Sequence, residues 1–242
     1  MVTLYIASTE TFSGKSALCV GLGRHFQHDG YRIGYMKPVS TAARLAAGLA
    51  DEDAEFIQQT FGVPDSMDDM VPVGVTPRVV EAILSGEEID FQARLMEAYQ
   101  RVAHGRDVVI LEGGSTLREG HIVGLPTAKV ADLLGARELV VVKYNDDVQL
   151  LDDVLTAQSR LGPSLIGAVL NAVPRQRMPF VQEKVKPGLQ ERGVPVLAVL
   201  PQERLLLSVS VGDLAGRQTL LKFAVRNLLD HHVAENVLPH PQ

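Results

Sequence analysis

Cysteine occurs once in this sequence and tryptophan not at all. With Cys19 alone, no internal disulfide can close and no cysteine-cluster metal site can be built. Cys19 stands in an apolar helical stretch, where a small buried hydrophobe is expected rather than a nucleophile. Long apolar runs are also missing. Nothing approaches the ~18 consecutive residues that span a bilayer. The opening Met1-Val2-Thr3-Leu4-Tyr5-Ile6 runs directly into a strand and lacks the basic segment of a signal peptide. No run of more than two basic residues occurs, and 29 acidic against 23 basic side chains leave a net charge of −6. Phosphate backbones demand clustered Lys and Arg, so nucleic acid is disfavoured as the main partner. These absences predict a soluble, cytoplasmic protein that engages neither membrane nor nucleic acid.

What is present is an ordinary globular composition, 46% hydrophobic and 21% charged over 242 residues. That length suits one large α/β domain, alone or with a small appendage. Short, nearly continuous apolar runs occur at Thr3–Ala7, Arg32–Met36, Val108–Leu111, Leu139–Val142, Ile166–Leu170 and Val194–Leu197. Each is bounded by Gly, Pro or charge, as expected of strands buried on both faces. Helical patterns alternate with them: Lys15–His28, Asp53–Phe61, Phe91–His104, Thr127–Leu134, Gln149–Arg160 and Arg177–Arg192. Such alternation predicts an α/β fold with a doubly wound, mostly parallel sheet. Thr41–Asp90 breaks the rhythm. It holds an acidic, Pro-punctuated stretch (Pro64–Asp69) and a further helix from Pro77, and reads as an excursion over the ligand end of the strands. Residues 1–204 are read as the main domain and 205–242 as a tail, helical over Gln218–His232.

The first strand ends in Ser8-Thr9-Glu10-Thr11-Phe12-Ser13-Gly14-Lys15-Ser16 and passes into a helix. Strand, loop, Gly-Lys-Ser and helix form the context of a phosphate loop. Loop and helix-start N–H groups converge on phosphate oxygens, helped by the helix dipole. Lys15 supplies a positive charge for the outer phosphates and the Ser16 hydroxyl a ligand for Mg²⁺. The expected ligand is therefore a nucleoside triphosphate, ATP, with Mg²⁺, on Thr9, Glu10, Thr11, Phe12, Ser13, Gly14, Lys15 and Ser16. Thr9 stands where the usual pattern has its first glycine. Lys37 closes the second strand just before Pro38, at the sheet end where ligands bind. In Asp107-Val108-Val109-Ile110-Leu111-Glu112-Gly113-Gly114-Ser115, a strand ends in a carboxylate and two glycines, placing Glu112 as a metal ligand. Asp51, Glu52 and Asp53 open a helix, where carboxylates also serve the dipole.

Together these pieces resemble dethiobiotin synthetase and cobyrinic acid a,c-diamide synthase. They resemble most of all the dethiobiotin-synthetase-like N-terminal domain of long phosphotransacetylases. The family loop Gly-Thr-Asp-Thr-Glu-Val-Gly-Lys-Thr aligns without a gap on Ser8–Ser16, and Gly-Tyr-Lys-Pro-Val on Gly34–Val39 with one residue inserted. Glu-Gly-Ala-Gly-Gly corresponds to Glu112-Gly113-Gly114-Ser115. The resemblance implies the phosphate-loop NTPase fold and a metal aspartate at Asp53, which joins Ser16 and Glu112 around Mg²⁺. It also implies a base-reading Asn171, catalytic roles for Lys15 and Lys37, and a homodimer. Such enzymes phosphorylate a carbamate or carboxylate with MgATP, so the resemblance also implies a small carboxylate or amine substrate. Departures point the other way. Phe12 replaces the family's acidic residue, Met36 is the insertion, and Ser115-Thr116-Leu117 replaces a glycine pair. Leu206–Ala215 resembles the start of a following regulatory domain. The expectation is a nucleotide-binding domain that regulates or hydrolyses weakly, with an ATP-dependent carbon–nitrogen ligase as the alternative. A partitioning-type ATPase is disfavoured, because the loop lacks that class's second lysine.

Overall fold

A computed structural model describes residues 1–41 and 51–203. The helical pattern at Gln218–His232 and the Leu206–Ala215 segment lie outside the described residues. Six strands form one parallel sheet: β1 (Val2–Ser8), β2 (Ile33–Met36), β5 (Val108–Glu112), β6 (Arg137–Lys143), β7 (Leu165–Val173) and β8 (Val196–Pro201). Their order is β2-β5-β1-β6-β7-β8, with β1 central. Two further strands, β3 (Val39–Ser40) and β4 (Val73–Gly74), pair parallel in a separate two-residue ribbon.

The strands are apolar on both faces because helices cover both. Leu4 and Ile6 of β1, with Val108 and Ile110 of β5, face α1 (Lys15–His28) and α2 (Glu52–Phe61), packing on Leu18, Leu22, Phe26, Ile57 and Phe61. Tyr5, Ala7, Val109 and Leu111 face the opposite layer. That layer holds α5 (Phe91–Ala103), α6 (Thr127–Leu134) and α7 (Asp147–Leu161). The alternation of side chains along each strand thus decides which layer a residue joins. Cys19 is fully buried beside Leu18 and Val20, a packing residue as expected. Between β2 and α5 the chain adds α3 (Met67–Met70) and α4 (Pro77–Leu84).

The expected elements are present, with longer strands than their apolar cores suggested: β6 extends to charged Arg137 and Lys143, and β7 runs to Val173. The stretch expected as one helix over Arg177–Arg192 is subdivided. It comprises a 3₁₀ turn Arg175–Arg177, α8 (Met178–Phe180), a π turn Val181–Val185 and α9 (Lys186–Glu191). Pro179 and Pro187 each remove a backbone donor there, which unsettles regular α hydrogen bonding. Among the described residues no helix is long and apolar enough to cross a membrane.

Candidate functional site

At the C-terminal end of β1 the chain turns through Ser8–Gly14 and enters α1. Two positive-φ residues, flanking Ser13, bend it there. Phe12 adopts φ 54°, and Gly14 adopts φ 91°. A phenylalanine in the left-handed region costs about 1–2 kcal/mol relative to its usual basins, and strain of this kind concentrates in ligand loops. Phe12 is 94% exposed, so its ring stands in solvent rather than over the site. Helix α1 begins on Gly14 with no side-chain cap and no acidic residue in its first turn. By contrast, α2, α3, α4, α5 and α7 are capped by Asp51, Ser66, Thr76, Asp90 and Asp146. The first-turn N–H groups of α1 therefore remain available to an anion. Beside them lie two buried hydroxyl oxygens without a hydrogen-bond partner, Thr9 Oγ1 and Ser13 Oγ.

Glu112 is the hub. It ends β5 with the same alternation as Val108 and Ile110, so it points to the α1 face. It is fully buried. Its Oε1 accepts from Lys15 Nζ at 2.5 Å and from Ser16 Oγ at 2.7 Å, while Oε2 accepts from Tyr35 Oη at 2.7 Å. Burial opposes ionisation of this carboxyl, but Lys15, Lys37 and the hydrogen bonds prevail and lower its pKa to about 2. Burial and the adjacent Glu112 charge push the Tyr35 hydroxyl far above its ordinary value, so it is held as a donor.

Lys37 forms a second group. It directly follows β2 and is 9% exposed, with Nζ 2.7 Å from Asp51 Oδ2 and 3.7 Å from Asp53 Oδ2. Burial disfavours its charge, yet the Glu112 and Asp51 carboxylates outweigh that and raise its pKa. Asp51 is buried as well. It accepts from Ser40 Oγ at 2.7 Å and caps α2 by accepting from the Ala54 N–H at 3.3 Å. Asp53 is half-buried, and burial followed by the Glu112 charge raises its pKa.

The structure thus brings together Lys15, Ser16, Glu112 and Lys37, and sets Asp53 at the edge of the group. Asn171, on β7, lies against the loop, where its Nδ2 donates to the Ser13 carbonyl at 2.7 Å and packs over Gly14. Glu10 accepts from Asn145 Nδ2 at 2.8 Å, whereas Thr11 is exposed. Met36, the inserted residue, is fully buried in the layer opposite α1, so Tyr35 and Lys37, two positions apart, share the Glu112 side. Sequence reasoning missed Asp51 and Tyr35. Strand alternation from Glu112 could have found Tyr35. Asp51 is distinguished from Asp53 by its capping position, which the sequence Asp51-Glu52-Asp53 leaves ambiguous.

A family model described as an AAA domain matches residues 2–210. The ATP-dependent dethiobiotin synthetase of Methanococcus vannielii is 22% identical over 213 residues, covering 83% of this chain and 94% of that enzyme. The phosphate acetyltransferase of Pseudomonas putida is 25% identical over 180 residues, covering 72% of this chain. The chain spans only 25% of that relative's length. Among solved structures, the MinC:MinD cell division protein complex of Aquifex aeolicus superposes with a TM-score of 0.58 at 14% identity, over 100% of this chain and 98% of that one. At that identity the likeness concerns the fold.

Proposed function

From the premise that this chain belongs to the AAA-domain family of dethiobiotin-synthetase-like phosphate-loop NTPases, we propose that it binds MgATP on the Ser8–Ser16 loop and acts as a nucleotide-sensing or slowly hydrolysing domain. The observation that carries this reading is the uncapped start of α1 beside Lys15, with the partnerless Thr9 and Ser13 hydroxyls turned into buried space. A buried polar group without a partner is costly unless a ligand completes it. Triphosphate oxygens supply the missing acceptors for the α1 N–H groups and both hydroxyls.

The donor set fits Mg²⁺. Among the described residues no three His, Cys, Asp or Glu side chains gather into a protein-only metal cage. Mg²⁺ is ordinarily held by one or two carboxylates together with substrate phosphates and water. Glu112, Ser16 and Asp53 offer such hard oxygens, and the ion would neutralise charge on the phosphates. Lys15 and Lys37 would hold the phosphate oxygens, and Asn171 would keep the loop closed while its amide meets the base. A homodimer, in which a partner completes the open side of the site, accords with the family.

A second reading is an ATP-dependent carboxylase–cyclase or amide-forming synthase. The near full-length match to a dethiobiotin synthetase favours it. The loop speaks against it: Phe12 points to solvent where the related enzymes carry an acid, leaving one polar group fewer near the acceptor. Misplacement of an acceptor by ~1 Å can cost about a hundredfold in rate. Titration calorimetry with ATP, GTP and ADP, with and without Mg²⁺, tests the first reading. Binding of MgATP only to the folded state at a hundred times Kd would add ~2.7 kcal/mol of stability, and Lys15→Ala should abolish the gain. An unchanged melting point at millimolar MgATP refutes it. Incubation with diaminopelargonic acid, bicarbonate and MgATP tests the second; dethiobiotin at an ordinary synthetase's rate would put the second reading first.

A further inference from the structure

Sharing no lining residue with the phosphate loop, the segment after β5 and the end of α7 line a half-open cavity of about 380 Å³. Its floor is apolar, formed by Leu117, Pro126 and Leu161, of which Leu117 and Leu161 are buried. Its rim carries Arg118, His121 and Arg160, and no carboxylate lines it.

Neither guanidinium group at the cavity is committed to an acid among the described residues, a state they share with Arg24 and Arg192. Elsewhere Arg32, Arg101, Arg106, Arg175 and Arg177 each hold a carboxylate, of Asp107, Asp69, Asp65, Glu203 and Asp147. At the cavity, Arg160 donates only to the Leu117 carbonyl, at 3.3 Å, and the Arg118 side chain has no hydrogen bond or ion pair among the described residues. The adjacent acid, Glu119, accepts from the Thr41 hydroxyl at 2.9 Å and the Thr116 N–H at 3.1 Å and makes no ion pair with Arg118 or Arg160 among the described residues.

We propose that this cavity binds a small organic anion, a short apolar chain ended by a carboxylate, at a site separate from the nucleotide. Ligand pockets join an apolar lining to a few convergent polar groups, in volumes of roughly 300–1,000 Å³. Arginine forks match carboxylates in geometry as well as charge. The apolar floor takes the chain; Arg118 and Arg160 take the head group, with His121 as a third donor. The inference does not depend on what the phosphate loop binds.

The experiment is titration calorimetry and thermal melting of the full chain with hexanoate, hexan-1-ol and inorganic phosphate. Hexanoate should bind saturably at one site and raise the melting temperature, with the alcohol and phosphate each at least ~10-fold weaker, since each lacks half of the recognition. Arg118→Gln, whose side chain supports nothing else, should weaken hexanoate ~10-fold while the unliganded protein melts as the parent does. Arg160→Gln should act in the same direction, and saturating MgATP should not displace hexanoate. No saturable binding of hexanoate up to ~20 mM, a range that still detects millimolar affinity, overturns the proposal. Parent-like binding by both arginine variants, or displacement by MgATP, overturns it equally. Phosphate binding as tightly as hexanoate would overturn the organic part of the ligand.

Discussion

Replacing Glu112 by Gln is the sharpest perturbation of the site, because it changes one charge and almost no volume. Three donors converge on this fully buried carboxylate: Lys15, Ser16 and Tyr35. The amide can still accept at Oε1, but its Nε2 presents hydrogens toward the Tyr35 hydroxyl and leaves Lys15 without a counter-charge. The magnitude follows from proton linkage. Glu112 titrates at about 2 in the folded protein against an ordinary 4.5. At ~1.36 kcal/mol per pH unit, that difference corresponds to stability on the order of 3 kcal/mol. Its sign is that of a depressed carboxyl: the contribution is fully present above pH 4.5 and is lost as pH falls toward 2. Loss of one partner of a buried pair costs a similar ~3–5 kcal/mol. Urea unfolding of parent and Glu112→Gln should therefore differ by about 3 kcal/mol at pH 7, with the gap closing as pH falls below 4.5. A difference under ~1 kcal/mol at pH 7, or one that is unchanged at pH 3, would refute the assignment of Glu112 as an ionised hub.

Gly14→Ala adds a methyl where φ is 91° and the Asn171 amide already sits; it should cost ~1–3 kcal/mol in urea unfolding and weaken MgATP binding, and parent-like behaviour in both would remove the claim that loop and Asn171 are locked together. Asp51→Asn should destabilise by about 2–4 kcal/mol, because it strips Lys37 of its nearest counter-charge and weakens the α2 cap. Asp53→Asn, half-exposed, should change stability by less than ~1 kcal/mol while weakening the Mg²⁺-dependent part of nucleotide binding in calorimetry. Glu138, fully buried on β6 and hydrogen-bonded by Ser164, is raised by burial to about 7 from an ordinary 4.5. Its ionisation is a cost that grows as pH rises from 4.5 to 7 and is complete above 7, so Glu138→Gln should gain ~2–3 kcal/mol on the parent across that window; melting curves whose difference is flat with pH would contradict it.

Much of this was legible in the sequence because it rests on short-range rules. The phosphate loop declares itself by Gly14-Lys15-Ser16 placed between an apolar run and an amphipathic one, and α1 spans Lys15–His28 as the pattern predicts. Strand alternation puts Glu112 on the same face as Val108 and Ile110 without any long-range information. Other features could not be read this way. Which of Asp51 and Asp53 meets Lys37 depends on where α2 starts, a matter of one or two residues that propensity does not resolve. The ribbon of β3 and β4 has two residues per strand, too few for any periodicity. The Arg118–Arg160 juxtaposition joins a loop to the end of a helix 42 positions later in number, and no local pattern encodes it.

The charges of the site explain why metal and nucleotide should be inseparable here. Lys15 and Lys37 face Glu112, Asp51 and Asp53, so with every group ionised the cluster is itself negative by one. A triphosphate approaching alone meets carboxylates as well as lysines, and both lysines are already engaged. Lys15 can leave Glu112 for a phosphate oxygen only if the buried carboxylate gains another cation, because an unpaired buried charge is far costlier than a shared one. A divalent ion delivered with the nucleotide would satisfy that condition: Glu112 would hold the ion, and Lys15 would be free to meet the phosphates. Tyr35, its hydroxyl kept protonated by burial, donates to Glu112 and would hold it in place throughout. The coupling runs through a single carboxylate, so the affinity for ATP without Mg²⁺ should fall far below that with it, and in Glu112→Gln the two affinities should converge.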